Sequence, residues 1–359
     1  MPFSLSQLEH PIVQAPLGGG PSTPALAAAV SEAGGLGFLA AGYRTPDAVR
    51  SDIAELRGLT ARPFGLNIFV PGPASGDAAA LERYAAALRD EADRLGVELG
   101  EPRYDDDGWE DKLALARREA VPVVAFTFGC PDASVVTQLQ AAGCAAWVTV
   151  TTPAEAVAAA DAGADALIVQ GVEAGGHRGS YDGEAPGDIG LLALLQLVRA
   201  VTDRPLVATG GIATGLGVAA VLAGGAAAAQ LGTAFMCAPE AGTSEAHRRA
   251  IRGSARTALT RAFTGRTARG IENRFMREHE GEAPHAYPEV NNLTARLRAA
   301  ARERGDGDAF HLWAGQAHGL AEELPARELV RKLADEAREA LRSAGGALAH
   351  RPEGRRQDP

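Results

Sequence analysis

A single histidine lies in a glycine-rich loop directly after a run of apolar residues. Residues 166–170 are Ala-Leu-Ile-Val-Gln, and the loop that follows contains Gly175, Gly176, His177 and Gly179. Glycines let the backbone approach a bulky ligand closely, and an imidazole has its ordinary pKa near neutrality. The pattern therefore predicts an active-site loop in which His177 takes or gives a proton. A surface histidine on a flexible turn is the alternative.

Two further glycine-containing loops have the composition of a phosphate site. Gly210 and Gly211 follow one apolar run, and Gln230-Leu231-Gly232-Thr233 spans the end of the next. Backbone N–H groups in such loops can converge on a phosphate, and the start of a helix adds a favourable dipole. Barrels of parallel strands commonly place a phosphate after their last two strands, so the pair of loops predicts such a site. Glycines that only end helices are the alternative.

Three amide side chains lie within or at the ends of apolar runs. They are Gln14, Asn67 and Gln170. An amide can both donate to and accept from a planar heterocycle that carries imide groups. With the phosphate loops, these amides indicate a heteroaromatic phosphate cofactor. An amide satisfied by neighbouring backbone is the alternative, and for Gln14 the two interpretations are equally supported.

Short apolar runs alternate with alanine-rich stretches of helical spacing along most of the chain. This alternation is typical of strand-helix repeats that form a parallel sheet. Eight such units in about 240 residues predict a (β/α)8 TIM barrel, a fold of roughly 250 residues, with an open doubly wound sheet as the alternative. The predicted strands are 12–15, 36–39, 64–68, 121–126, 145–149, 166–170, 206–209 and 228–231.

Two parts of the chain depart from this repeat. Residues 72–120, between the third and fourth strands, predict a helical excursion with a long helix over 77–95 and a second over 109–118. The barrel with this excursion is expected over residues 1–239. Residues 240–345 predict an appended, mostly helical region over the barrel mouth, and residues 346–359 a flexible tail.

The composition excludes several classes of protein. The 359 residues are 46% hydrophobic and carry a formal net charge of −10, which argues against nucleic acid or an anionic membrane as partner. The three cysteines are far apart, which fits a reduced cytosolic protein and provides no metal-ligand spacing, so no metal is expected. Without an evident export signal or a long apolar run, the chain is expected to be soluble and cytoplasmic.

Taken together, the motifs resemble those of the nitronate monooxygenases, formerly called 2-nitropropane dioxygenases, a family of FMN-dependent barrel enzymes. The resemblance covers most of the chain, and the phrase Glu-Ala-Gly-Gly-His-Arg-Gly at 173–179 is its most specific part. The other matching segments are 10–17, 18–24, 65–67, 205–233, 263–270, 287–291 and 313–316.

The resemblance implies roles for the residues already singled out. FMN contacts are expected at Asn67, Gln170, Gly175, Gly211, Gln230, Leu231, Gly232 and Thr233, with His177 as catalytic base. In such enzymes an alkyl nitronate and O2 give a carbonyl compound and nitrite. A neutral nitroalkane must first lose its α-proton, which His177 could remove. Tyr104 is a candidate for lining the substrate pocket and Gln316 for reaching its mouth, although both have ordinary structural alternatives.

Two other functions remain compatible with the sequence. The first keeps FMN but takes electrons from NAD(P)H, as in enoyl or quinone reductases, whose loops are similar. The second is a non-catalytic barrel that binds a phosphorylated metabolite, because function resides in the site and not in the barrel. The sequence leaves the physiological substrate and the oligomeric state open.

Overall fold

The computed structural model describes residues 3–74, 77–183 and 187–349. Eight parallel strands form one sheet, and their bounds are β1 Ile12–Gln14, β2 Gly37–Ala40, β3 Phe64–Phe69, β4 Val123–Thr127, β5 Ala145–Val150, β6 Ala166–Gln170, β8 Leu206–Thr209 and β9 Ala228–Leu231. Neighbouring strands are hydrogen-bonded in the order β1-β9-β8-β6-β5-β4-β3-β2. A second, antiparallel sheet is formed by β7 Gly176–His177, β10 Thr257–Thr260 and β11 Ala268–Ile271.

The eight-stranded sheet closes on itself. Backbone hydrogen bonds from Gln14 N to Leu36 O (2.9 Å) and from Leu36 N to Ile12 O (3.0 Å) join β1 to the start of β2. The predicted TIM barrel is confirmed, and the open doubly wound sheet is not the observed topology. Each predicted strand corresponds to one barrel strand, because each is a buried apolar run between turn residues.

Helices surround the barrel, and threonine caps begin several of them. Thr23, Thr45, Thr152 and Thr214 each accept a hydrogen bond from a backbone N–H of the first turn, which satisfies an otherwise unpaired donor. The helices are α1 Pro24–Glu32, α2 Pro46–Leu59, α3 Ala78–Ala87, α4 Arg89–Leu95, α5 Trp109–Arg118, α6 Ala133–Ala141, α7 Pro153–Asp161, α8 Leu191–Arg199, α9 Gly215–Ala223, α10 Glu245–Ile251, α11 Arg274–His279, α12 Glu289–Glu303 and α13 Ala326–Ala349.

The excursion after β3 contains the predicted helices with one difference. The helix expected over 77–95 is interrupted at Leu88, which separates α3 from α4. The second predicted helix matches the bounds of α5. The C-terminal helices of the chain pack on both the barrel and the excursion: α13 contacts α9 and α1, and α12 contacts α3 and α4.

The region after β9 is mostly helical, but it also contributes two strands that the sequence analysis missed. Strand β11 pairs with β7, so that Ala268 lies opposite His177. The four-residue strands and the two-residue β7 are too short to give a periodic signal. Helix α13 continues to Ala349, into the range predicted as a tail, and residues 350–359 lie outside the described residues. No described helix combines the length and apolar character needed to cross a membrane.

Candidate active site

A large cavity lies at the carboxyl ends of the barrel strands. Its volume is about 970 Å³, and its walls come from the strand ends and from the C-terminal region, including α12. Cavities of this kind at this face are where barrel enzymes bind their ligands. Most of the predicted site residues line it together: Asn67, Gln170, Gly175, His177, Gly211, Gln230, Gly232 and Thr233.

Four other candidates lie away from the cavity wall. Leu231 is buried in the layer between the barrel and its helices, and Gln14 is fully buried with its Oε1 accepting from Phe38 N at 2.9 Å. Tyr104 is exposed, and its hydroxyl donates to Gly72 O at 3.0 Å. Gln316 is also exposed. The structure therefore does not place these side chains on the predicted ligand site.

Three glycines and a threonine form a cradle on one side of the cavity. The N–H of Gly315 donates to Thr233 Oγ1 at 3.0 Å. A Cβ added to Gly315 would lie 3.4 Å from Gly175 N and 3.7 Å from Gly211 N, so these groups are neighbours. Gly211 has a φ of +66°, and a Cβ on Gly175 would lie 2.4 Å from the carbonyl carbon of Ala314. Neither position tolerates a side chain.

The cradle and the neighbouring Gly232 offer backbone donors to a ligand. Within the part of the chain that the structure describes, the N–H groups of Gly211 and Gly232 donate no hydrogen bond. Both glycines line the cavity, after β8 and β9 respectively. Unpaired N–H groups at adjacent strand ends are the usual means by which loops bind an anion such as phosphate.

The side chain of Gln170 is held in one orientation. Its Oε1 accepts from Arg178 Nη1 at 3.0 Å and from Gly179 N at 2.9 Å, and its Nε2 donates to His177 O at 3.1 Å. Arg178 is fully buried and also donates to Gly171 O at 2.6 Å. Because these contacts fix which end of the amide carries the nitrogen, its second N–H remains for a ligand.

Two other amides have unused polar atoms at the cavity. Gln230 is 3% exposed, and its Nε2 has no hydrogen-bond partner among the described residues. Asn67 donates to Ala125 O at 3.2 Å and to Thr127 Oγ1 at 2.9 Å, so both its N–H groups are used while no described residue donates to its Oδ1. A buried amide left unpaired costs free energy, which a ligand with matching donors and acceptors would recover.

Three aromatic rings surround the imidazole of His177. Its ring centroid is 5.6 Å from that of Phe128, 5.9 Å from that of Tyr287 and 5.5 Å from that of Trp313. Its Nε2 lies 2.9 Å from Thr264 Oγ1. His177 itself is half-buried, and it lines the cavity.

The electrostatic surroundings keep the imidazole neutral. Burial, together with the guanidinium groups of Arg266 and Arg298, lowers the pKa of His177 to about 3. Burial lowers the pKa of each arginine only to about 10, so both remain charged at neutral pH. Among the described residues Arg298 donates only to neutral partners, Thr294 Oγ1 and the Oδ1 and carbonyl oxygen of Asn291. The site therefore favours an anionic ligand.

The buried neutral histidines should make the folded protein less stable at acidic pH. Burial lowers the pKa of His247 to about 4 and that of His311 well below its ordinary value. The unfolded chain therefore binds more protons as pH falls below about 6.5, and each group removes up to about 1.4 kcal/mol of stability per pH unit between its unfolded and folded pKa. Urea unfolding from pH 7.5 to 4.5 should show a falling free energy of unfolding.

The variant His247→Gln isolates one of these groups. Glutamine can replace the hydrogen bond that His247 Nε2 makes to Trp313 O at 3.0 Å, but it does not titrate. The free energy of unfolding of this variant should depend less steeply on pH than that of the wild type. The difference in slope should correspond to about one fewer proton taken up on unfolding. An unchanged slope would show that this imidazole is not neutral and buried in the folded protein.

Several cavity residues were not identified from the sequence. Tyr43 follows β2 and its hydroxyl lies 3.2 Å from that of Tyr287, while Phe128, Trp313 and Arg298 complete the wall around His177. Two of them, Tyr43 and Phe128, have positive φ angles of 65° and 78°. Strained backbone at non-glycine residues is concentrated at functional sites, but it leaves no signal in a single sequence.

Comparison with known proteins gives a consistent result. The sequence profile of the nitronate monooxygenase family matches residues 3–336. A nitronate monooxygenase from Pseudomonas aeruginosa is 42% identical over 352 residues, covering 92% of this chain and 97% of the relative. The crystal structure of a nitroalkane oxidase from Streptomyces ansochromogenes superimposes with a TM-score of 0.92 at 54% identity, covering 95% of this chain and 99% of that one. FabK from Thermotoga maritima gives a TM-score of 0.76 at 29% identity, covering 96% and 97%.

Proposed function

This chain belongs to the nitronate monooxygenase family, and from that premise we propose that it binds FMN in the cavity and oxidises small alkyl nitronates with O2 to a carbonyl compound and nitrite. The family is flavin-dependent, and the chain is an oxidoreductase of this type. The observation that carries the proposal is the convergence of His177, three cavity amides and the glycine cradle on one cavity.

The residues that line the cavity match both the flavin ring and the phosphate of FMN. A flavin ring has carbonyl oxygens and ring nitrogens that match an unpaired N–H donor, such as Gln230 Nε2, and an unpaired acceptor, such as Asn67 Oδ1. At the glycine cradle, the unpaired N–H groups of Gly211 and Gly232 would hold the phosphate. When bound, the flavin supplies the electron-transfer chemistry, and the protein supplies orientation and electrostatics.

The charges at the site suit a nitronate, which is an anion. The guanidinium groups of Arg266 and Arg298 lower the pKa of His177 through their positive charge, and the same field would attract a negatively charged substrate. The rings of Phe128, Tyr287 and Trp313 provide an apolar wall for the alkyl group.

A neutral nitroalkane requires an additional step. Its α-proton must be removed, and His177 is the neutral imidazole that lines the cavity and could accept it. The arginine charges oppose formation of the imidazolium, but the nitronate formed beside it carries a compensating negative charge. We therefore propose that neutral nitroalkanes are substrates, with a lower kcat/KM than the corresponding nitronates.

Oxygen uptake with nitrite detection tests the proposed function. The holoenzyme should consume O2 and release nitrite with ethyl nitronate, and more slowly with nitroethane at the same pH. Oxidation of neither compound would contradict the proposal. Rapid reduction of the flavin by NAD(P)H, with no response to a nitronate, would instead favour the reductase alternative. Flavin binding without turnover of any of these compounds would favour the non-catalytic barrel.

A further inference from the structure

The hydroxyl of Thr264 has three hydrogen-bonding neighbours. Its Oγ1 lies 2.9 Å from His177 Nε2, 3.2 Å from the carbonyl oxygen of Arg266 and 3.4 Å from Arg266 N. The side chain is 2% exposed and Arg266 is 8% exposed, so water has little access to these groups. A hydroxyl has one hydrogen and two lone pairs, so three partners use its full capacity.

The directions of these bonds follow from the partners. The N–H of Arg266 can only donate and its carbonyl can only accept, so the first uses one lone pair of Oγ1 and the second uses its hydrogen. Among the described residues no other group donates to the Arg266 carbonyl. Turning the hydroxyl toward His177 would leave that buried carbonyl unpaired, at a cost of about 1–3 kcal/mol. The remaining lone pair of Oγ1 therefore accepts an N–H from His177 Nε2.

This assignment determines the tautomer of the neutral imidazole. With its hydrogen on Nε2, His177 carries a lone pair on Nδ1, and Nδ1 has no hydrogen-bond partner in the described part of the chain. The ring lines the cavity. Resting on the proposed function, we propose that Thr264 is a positioning residue that holds His177 in this tautomer, so that Nδ1 is the atom that accepts the α-proton of a neutral nitroalkane.

The proton transfer is balanced without another reactant. The α-C–H bond breaks, the proton forms an N–H bond at Nδ1, and the electron pair stays on the substrate as the C=N bond of the nitronate. The Nε2–H bond to Thr264 Oγ1 is present before and after the step. It becomes stronger when the ring is charged, because hydrogen bonds to ionised groups are stronger than neutral ones. Thr264 thereby offsets part of the opposition from Arg266 and Arg298.

Nitrogen NMR of the holoenzyme tests the tautomer directly. In protein labelled with ¹⁵N-histidine at pH 7, the signals of His177 are identified as those missing from His177→Asn. Wild type should show a protonated Nε2 and a bare Nδ1, and Thr264→Val should show a mixture of tautomers. A protonated Nδ1 in the wild type would overturn the proposal. This measurement does not depend on turnover, so it stands even if the proposed oxidation fails.

Kinetics separates positioning from a merely structural role. Thr264→Val, close to isosteric but without a hydroxyl, should lower kcat/KM for nitroethane by about tenfold or more and leave that for ethyl nitronate unchanged. Thr264→Ser, which restores the hydroxyl, should recover most of the activity, and it also covers the case in which the valine variant folds poorly. Thr267→Val, at another buried threonine three residues along, serves as the matched control.

Other kinetic results would contradict these proposals. Equal losses on nitroethane and ethyl nitronate in Thr264→Val, or no recovery in Thr264→Ser, would contradict the positioning role. Failure of the wild type to oxidise ethyl nitronate would contradict the proposed function instead.

Discussion

Replacing His177 with asparagine is expected to abolish turnover of neutral nitroalkanes while sparing preformed nitronates. Asparagine is polar and its amide can occupy the position of the Cγ–Nδ1 half of the imidazole, but it cannot take a proton at neutral pH. General-base catalysis contributes about 10²–10⁴-fold to such steps, so the loss on nitroethane should be in that range. Ethyl nitronate is already deprotonated, and its oxidation needs no base.

Paired initial-rate measurements check this prediction. Oxygen uptake by the wild type and the variant is followed with nitroethane and with ethyl nitronate at the same flavin content. His285→Asn, at an exposed histidine, provides the matched control and should behave as wild type. An equal loss on both substrates would assign His177 to binding or flavin placement in place of proton abstraction.

Loss of FMN binding is the second large effect expected, in Gly211→Val. Gly211 has a φ of +66°, and an added Cβ would lie 2.9 Å from Glu173 Cβ. A left-handed conformation costs an L-residue about 1–2 kcal/mol, and a β-branched side chain adds crowding. The loop would have to move, which would withdraw the Gly211 N–H from the proposed phosphate position.

A comparison of two ligands localises that effect. Fluorescence titration of apoprotein should give a much weaker FMN affinity in Gly211→Val, with riboflavin, which lacks the phosphate, nearly unaffected. Gly58→Val is the matched control, because its Cβ would meet no atom within 4 Å outside its own stretch of helix α2, and Gly58 does not line the cavity. If the variant binds FMN as tightly as the wild type, the cradle is not the phosphate site.

Strand alternation explains which site residues the sequence could have identified. Successive residues of a strand point to opposite faces. In β9, Ala228 packs inside the barrel, so Gln230 shares its face and lines the cavity while Leu231 points toward the helices. The same reasoning places Gln14, one residue after the inward-facing Val13, on the outer face. Applied to the sequence, this rule would have excluded Leu231 and Gln14 as cofactor contacts.

The residues that the C-terminal region contributes to the cavity could not be predicted from patterns of consecutive residues. Tyr287 and Arg298 belong to the C-terminal region, and they meet His177 and Tyr43 only because that region folds back over the barrel mouth. The pairing of β11 with the two-residue β7 is likewise set by tertiary contacts. The barrel strands and the glycine loops, by contrast, carry their signal in consecutive residues, and they were predicted.

Anaerobic mixing of the flavin-loaded protein with a nitronate shows whether the bound flavin oxidises this substrate. We expect ethyl nitronate to bleach the visible flavin band within the time of a catalytic turnover, and readmission of O2 to restore the band with release of nitrite. A band that stays unchanged with the nitronate, or a purified protein that takes up no FMN at all, would contradict the proposed function.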